Sequence, residues 1–509
     1  MASADATTDS TTDQEVNLPT LTAMVVGSGV FLLPRRFGTE TGVLGAIIAW
    51  CIAGTGMLML AFCFQRLAVR KPNLDAGIFA YAKAGFGDYV GFNSAFGFWA
   101  SACAGNTSYW VLIMATTSAL FPALGDGSTV LAVVLSSVGL WLFFFLISRG
   151  VQQAAIINRI ATVAKIVPIV VFIVLALVMF DAGYFSDNFW GGNGIEVGSL
   201  WDQVKGTMLI TVFVFLGIEG ASMYSRFAKK REDVGRATVL GFLGVLGVFA
   251  LVTLVSYGAM PQGQLATIDQ PSMASVMESL VGEWGSVFIR IGVILSVLGA
   301  YLAWTLMAAE VLYVPARSSD MPKFLGRTNS TGAPVTALMF ATGLVQILLI
   351  ILLFVNDGLD FMLDLTSALA LLPYLLAAAY MLKLTLTRET YGTDDPVNHA
   401  SGTKRVPDMV IAIVALIYTV FLVWAAGVDK LLLSCILYAL GTILYIVARR
   451  EQNLPIFGRR AEAVLFGLFL VGAIGGIIYL TTGSEHVFDH PQQERHSYYV
   501  DDPSAGHPD

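Results

Sequence analysis

The chain has 509 residues, of which 56% are hydrophobic and only 13% charged, with a mean hydropathy of +0.73 and a formal net charge of −7. Soluble domains carry about a quarter charged residues, so the composition excludes a soluble globular protein and describes an integral membrane protein. The acidic balance offers no basic domain for nucleic acid, and no nucleic-acid partner is expected.

The opening "MASADATTDSTTDQEVN" is polar and acidic and lacks the basic n-region of a signal peptide, so residues 1–17 read as a disordered cytoplasmic tail. Apolar runs of about 20 residues, each near 30 Å as a helix, then recur along the chain. The expected spans are 18–36, 41–67, 89–119, 128–148, 155–180, 203–227, 236–259, 284–314, 335–356, 360–386, 407–426, 430–448 and 461–482. Strand-period alternation is absent and the glycines fall inside helical-length runs, which excludes a barrel. The fold class is therefore all-α integral membrane, with about thirteen transmembrane helices.

The first span, "VVGSGVFLLPRRF", carries Gly27-Ser28-Gly29 in its middle and Pro34 near its end. Glycine costs about 1 kcal/mol and proline about 3 in a helix interior, so a plain anchor gains nothing from either. The four cysteines, Cys51, Cys63, Cys103 and Cys435, all lie inside spans, with no disulfide or zinc spacing. Lys165, in "VAKIVPIV" of the fifth span, is a deep charge about 15 Å from the cytoplasmic end; it either serves the site or snorkels to that face. The sixth span, "VFVFLGIEGASMYSR", again breaks at small residues, with Gly217 and Gly220 flanking Glu219. Trp304 sits about two-thirds along the eighth span, away from the interfacial belt where a tryptophan would otherwise be expected. The acidic C-terminal segment, residues 483–509, holds four of the five histidines and reads as solvated disorder rather than a metal site.

Charge orients the bundle. With the N-terminus inside, the cytoplasmic loops hold Arg70, Lys71 and Lys83; Arg149 and Arg159; Arg226, Lys229, Lys230, Arg231 and Arg236; Arg317, Lys323 and Arg327; Arg388, Lys404 and Arg405; and Arg449, Arg450, Arg459 and Arg460. The opposite loops are nearly free of positive charge, and an odd number of spans puts the C-terminus outside. Arg35-Arg36 is the exception, placed at the outer vestibule.

Two interrupted helices five spans apart point to an inverted-repeat transporter whose site lies where the breaks meet. An unwound segment exposes N–H groups at the start of the following half-helix, which suit a carboxylate, and carbonyls at the end of the preceding one, which suit an ammonium. An α-amino acid presents both charges together. There is no GxxxxGK[ST] loop and no credible nucleophile–base or His/Cys cluster, so gradients rather than ATP drive transport, and no enzyme activity, metal or cofactor is expected.

"GSGVFLLP", "GIEGAS", "SRFAKKREDVGRAT" and "SVLGAYLAWTLMAAE", in this order and at matching spans, resemble the basic amino acid/polyamine antiporters of the amino acid-polyamine-organocation superfamily, most closely arginine-ornithine antiporters and lysine permeases. The similarity runs over residues 18–482. It implies a LeuT-like 5+5 inverted repeat with broken first and sixth helices: a core over 18–388, with repeats 18–180 and 203–388, and three accessory helices over 389–482. It allows a homodimer in the lipid bilayer.

By the same resemblance, Gly27, Ser28 and Gly29 hold the substrate carboxylate, and carbonyls near Val25, Phe213 and Leu216 receive the α-amino group. Trp304 corresponds to an aromatic that stacks on a guanidinium or alkyl-ammonium, Asn106 to a polar contact, and Thr366 and Tyr374 to a distal gate. Asn106 reads equally as an interhelical hydrogen bond, and Phe213 stands where many relatives carry tryptophan. Glu219 binds the cation, carries a proton, or bonds to the broken backbone. Lys165 stands where sodium-coupled members hold a sodium ion. The expected function is exchange of cationic amino acids, arginine for ornithine, across the cell membrane. The alternative is a lysine permease, exchanging or proton-coupled, and a channel or membrane sensor ranks below both. Leu18 to Leu33 spans only about 24 Å as a helix, and by the resemblance, whose pattern often has a second small-residue pair about four residues upstream, the first helix is one turn short before its binding loop.

Overall fold

A computed structural model describes residues 27–74, 78–149, 154–191, 197–217, 231–330, 332–392, 395–397 and 404–482. Within these the chain is helical throughout: a 3₁₀ turn at Ser28–Leu32, then α1 (Leu33–Glu40), α2 (Val43–Arg70), α3 (Ile78–Phe86), α4 (Asp88–Thr117), α5 (Val130–Ser148), α6 (Ala154–Val178), α7 (Ala182–Asp187) and α8 (Val197–Phe215). The second part holds α9 (Arg231–Ser256), α10 (Gln262–Thr267), α11 (Ser272–Val281), α12 (Glu283–Arg317), α13 (Val335–Ile351), α14 (Gly358–Thr387), α15 (Arg405–Ala425), α16 (Gly427–Glu451) and α17 (Arg460–Thr482).

Ten of these helices are long and apolar enough to cross a membrane. The expected first, third and sixth spans are the ones outside that set. The described part of the first is only the 3₁₀ turn and α1, while α4 carries Asn93, Ser94, Ser101, Asn106, Thr107 and Ser108 among its buried residues. Helix α8 holds Asp202 and Lys205 and ends at Phe215, and residues 218–227 of the expected span lie outside the described residues. Outward-facing Leu142, Phe145, Ile417 and Val471 stay exposed, as lipid-facing side chains do.

α4 and α14 form the centre. Nearly every residue of α4 from Tyr89 to Thr116 is buried, and small residues let its neighbours close in. A Cβ on Gly97 would strike the Tyr438 phenol of α16, and one on Gly139 would strike Trp110. On α12, a Cβ on Gly292 would strike Pro168, and one on Gly299 would strike Ala161, both of α6.

The loops that follow the fifth and seventh expected spans are not featureless. Asn188 donates to the carbonyls of Tyr257 and Met260 and accepts from the Gln262 amide, which ties α7 to the turn before α10. Gln262 in turn donates to the Gly38 carbonyl at 3.0 Å, so this loop packs on α1.

At the other end, Arg70 closes α2 with a fully buried side chain. The charge pattern put Arg70 in an aqueous loop; instead its Nε lies 3.0 Å from Asp408 of α15. Arg66 Nε lies 3.3 Å from the same carboxylate, and Tyr391 donates its hydroxyl to it at 2.8 Å. The Arg70 guanidinium also covers the Tyr391 ring, 3.5 Å from its centroid. The burial follows from pairing, because a charge leaves water only where its partner compensates the lost hydration.

Candidate functional site

The two breaks take form from their glycines. Gly27 is extended, with φ −75° and ψ 172°, and the chain turns directly into the 3₁₀ segment beginning at Ser28. A helix start leaves its first amide N–H groups without partners inside the helix, and in this 3₁₀ turn they include those of Ser28 and Gly29. Pro34 falls in the first turn of α1, where the 3₁₀ segment gives way to α-helix and no N–H is required of it. It therefore marks a change of helix type rather than a bend within a regular half-helix. In the sixth span α8 ends at Phe215, the Leu216 amide bonds back to the Phe213 carbonyl at 3.3 Å, and Gly217 adopts φ +103°. That left-handed conformation is open to glycine at little cost and stops the helix.

The breaks meet around one cavity, with about 350 Å³ of empty space, part of it open to solvent. One wall comes from Gly27, Gly29, Phe213 and Leu216; the other from Ser101, Ala102, Gly105 and Tyr109 of α4, Trp304 of α12 and Thr366 of α14. A Cβ on Gly29 would stand 2.7 Å from Phe213 Cε1 and 3.0 Å from Val214 Cγ1, so the first and sixth spans touch through the missing side chain. Trp304, half-buried, lies 6.3 Å from the Phe98 ring at 42°, and its Cζ2 lies 3.9 Å from where a Cβ on Gly217 would sit.

Six of the residues singled out from sequence thus line one cavity: Gly27, Gly29, Phe213, Leu216, Trp304 and Thr366. Ser28 is buried beside them, next to Tyr109. Asn106 is buried on α4 and donates to Thr305 Oγ1 of α12 at 3.2 Å, an interhelical bond one residue from Trp304. Tyr374 is fully buried two turns beyond Thr366 on α14 and meets the Phe64 ring edge-on at 6.0 Å, away from the cavity lining. Lys165 lies in α6, also outside the lining. Val25 and Glu219, and the expected shortening before Val25, fall outside the described residues.

Sequence reading missed Ser101, Ala102, Gly105 and Tyr109. Their signal is the run "SACAGNTSY", small and polar in the middle of a helix that is otherwise apolar. Small residues on a buried face leave room, and room beside two helix breaks is a site.

Above the cavity, the Arg36 guanidinium of α1 pairs with Asp364 and lies 3.5 Å from Asp360, both on α14, and Lys430 of α16 lies 3.7 Å from Asp364. Of the two anomalous arginines of the first span, Arg36 is therefore held in an ion pair, its side chain 10% exposed, rather than open to solvent.

The model of a family described as "Amino acid permease" matches residues 18–449. An arginine/ornithine antiporter of Pseudomonas aeruginosa is 45% identical over 471 residues, which cover 91% of this chain and 96% of that protein. A putative arginine/ornithine antiporter of Escherichia coli is 40% identical over 91% of this chain and 98% of its own length. An L-lysine transport protein of Corynebacterium glutamicum is 38% identical over 93% and 96%. With a family match along most of its length and relatives aligned nearly end to end, this chain belongs to the amino acid permease family.

Proposed function

We propose that the protein is a secondary transporter that exchanges cationic amino acids, arginine inward for ornithine outward, across the cytoplasmic membrane by alternating access and without sodium. The observation that carries this reading is the cavity where the two expected helix breaks lie: the start of the 3₁₀ turn, with the amide N–H groups of Ser28 and Gly29, on one side, and Trp304 with the three hydroxyls of Ser101, Tyr109 and Thr366 on the other. The N–H groups suit a carboxylate. The aromatic face suits a cation. Relatives bearing arginine/ornithine names support the substrate pair.

In this reading residues 18–180 and 203–388 are two inverted five-helix repeats that part around the cavity, and 389–482 are accessory helices that also suit a homodimer. The N-terminus is cytoplasmic and the C-terminus outside. Lys165 takes the place of a sodium ion, Tyr374 belongs to a distal gate, and Glu219 meets the cation or carries a coupled proton. Lysine transport is the second reading, favoured by the lysine-transporting relative.

Counterflow tests exchange directly. Proteoliposomes loaded with ornithine should take up labelled arginine, and empty ones should not; equal uptake into empty vesicles would remove obligatory exchange. Trp304→Leu should raise the KM for arginine roughly 5- to 30-fold, the span of a desolvated cation–π contact, with unchanged yield of folded protein. An unchanged KM would move the cation away from Trp304.

A further inference from the structure

Gln203 of α8, far from the cavity, uses its whole side-chain amide. Its Oε1 accepts from Thr41 Oγ1 at 2.9 Å and from the Gly42 amide at 3.3 Å, and its Nε2 donates to the Trp190 carbonyl at 3.2 Å and to Ser199 Oγ at 3.3 Å. A side-chain amide has two lone pairs and two N–H groups, so its capacity is filled. The residue is 8% exposed, and its oxygen is aimed at the junction between α1 and α2. The loop it holds on the other side is itself bonded to that junction: the Asn188 and Phe189 carbonyls accept from the Val43 and Leu44 amides at the start of α2.

Two half-helices that run in opposite directions are thereby joined at both ends. At the cavity Gly29 approaches Phe213 and Val214; at the far end Glu40 lies against Gly206, and Gln203 bonds to Thr41 and Gly42. The first contact is van der Waals and allows a pivot. The directional bonds at the far end stop it. We infer that Gln203 is a positioning residue for the substrate's head group, holding the Ser28 and Gly29 amides and the Phe213 and Leu216 carbonyls at one separation. The inference rests on the exchange reading above and deepens it by naming what keeps the two halves of the head-group site in register. An α-amino acid carries its carboxylate and ammonium on one carbon, so their spacing is fixed and a small misplacement of either set of partners weakens both. Gln203 acts over about 15 Å, the length of α8 between it and Phe213.

The test is the kinetics of labelled arginine uptake into ornithine-loaded proteoliposomes. Gln203→Leu, close in size but unable to bond to Thr41 or Gly42, should raise the KM about tenfold, the worth of one to two hydrogen bonds, with the maximal rate per folded transporter within about twofold of wild type. A side chain that served the fold alone would lower the amount of active protein and leave the KM unchanged. A covalent tie gives the rescue. The Cβ position of Gly206 lies 3.3 Å from Glu40 Cγ, near enough for Glu40→Cys with Gly206→Cys to form a disulfide between the two half-helices. Added to Gln203→Leu, the oxidised pair should return the KM to within about threefold of wild type, and reduction should undo the recovery. In otherwise wild-type protein the oxidised pair should leave exchange running. The inference is overturned by an unchanged KM in Gln203→Leu, by a raised KM that the disulfide does not lower, or by a disulfide that fails to form or that stops exchange. Wild-type vesicles that exchange no arginine overturn the exchange reading itself, an outcome distinct from an unchanged KM in an active protein.

Discussion

Gly29→Ala should reduce exchange at least about a hundredfold, while Gly27→Ala, two residues away, should leave the fold intact and only weaken substrate binding. The two glycines share a loop but differ in what stands beside them. A methyl at Gly29 would lie 2.7 Å from Phe213 Cε1, 2.9 Å from Cδ1 and 3.0 Å from Val214 Cγ1. Either the Phe213 ring turns into the cavity it lines, or the two broken helices are pushed apart; overpacking of this kind costs about 1–3 kcal/mol. Both responses spoil the site. Among the described residues a methyl at Gly27 meets only the Gly29 amide nitrogen, at 3.9 Å, and the φ of −75° there is open to alanine. It would stand in the cavity beside the amides assigned to the carboxylate, so the expected change is a higher KM with normal thermal stability. Measuring uptake kinetics and detergent unfolding temperature on the two variants separates these effects. Equal behaviour of the two would show that the close approach of Phe213 is unimportant.

Asp408→Ala should destabilise the protein by roughly 3–5 kcal/mol, the cost of removing one partner from a buried ion pair. Arg70 has no exposed side-chain surface and Arg66 is 27% exposed, so the alanine variant leaves one fully buried guanidinium and one partly exposed guanidinium without their carboxylate. Asp408→Asn should be nearly as damaging, because it preserves shape while discarding the compensating charge. Replacing the pair together, Arg70→Met with Asp408→Leu, should recover much of the loss, since apolar groups of similar volume avoid the desolvation penalty. Midpoints of thermal unfolding in detergent, compared across the three variants, give the ranking. A mild Asp408→Asn would mean that packing around Tyr391, not charge, holds α2 to α15.

The positions of the ten apolar crossings were largely legible in the chain because lipid imposes one rule: about 20 apolar residues for each crossing. Expected and observed boundaries for α5, α13, α14 and α15 agree closely at their starts, as in 335–356 against Val335–Ile351. The short helices α3, α7, α10 and α11 were not legible, since polar loops carry no comparable length rule. The breaks were legible through Gly27, Gly29 and Gly217, whose cost within a helix demands a reason. The α4 wall was harder to read: Ser101 and Gly105 look like ordinary close-packing residues until neighbouring helices show that they face empty space. Arg36 could be recognised as anomalous but not as paired, because Asp360 and Asp364 lie more than 300 positions away and no local pattern joins them.

The first, third and sixth expected spans, which fall outside the ten apolar crossings among the described residues, supply most of the cavity's lining, joined by Trp304 of α12 and Thr366 of α14, and this bears on how the protein is made. A segment carrying several polar residues enters lipid reluctantly during synthesis, with a charged residue at mid-membrane costing about 2.5–3.5 kcal/mol at insertion. Helices such as α2 and α5 can insert on their own hydrophobicity, whereas α4 must find α14, α12 and α16 before its asparagines, serines and threonines are at rest. Biogenesis therefore ends where transport begins: the polar helices are retained by their neighbours, and the contacts that hold them in the bilayer also shape the substrate's walls.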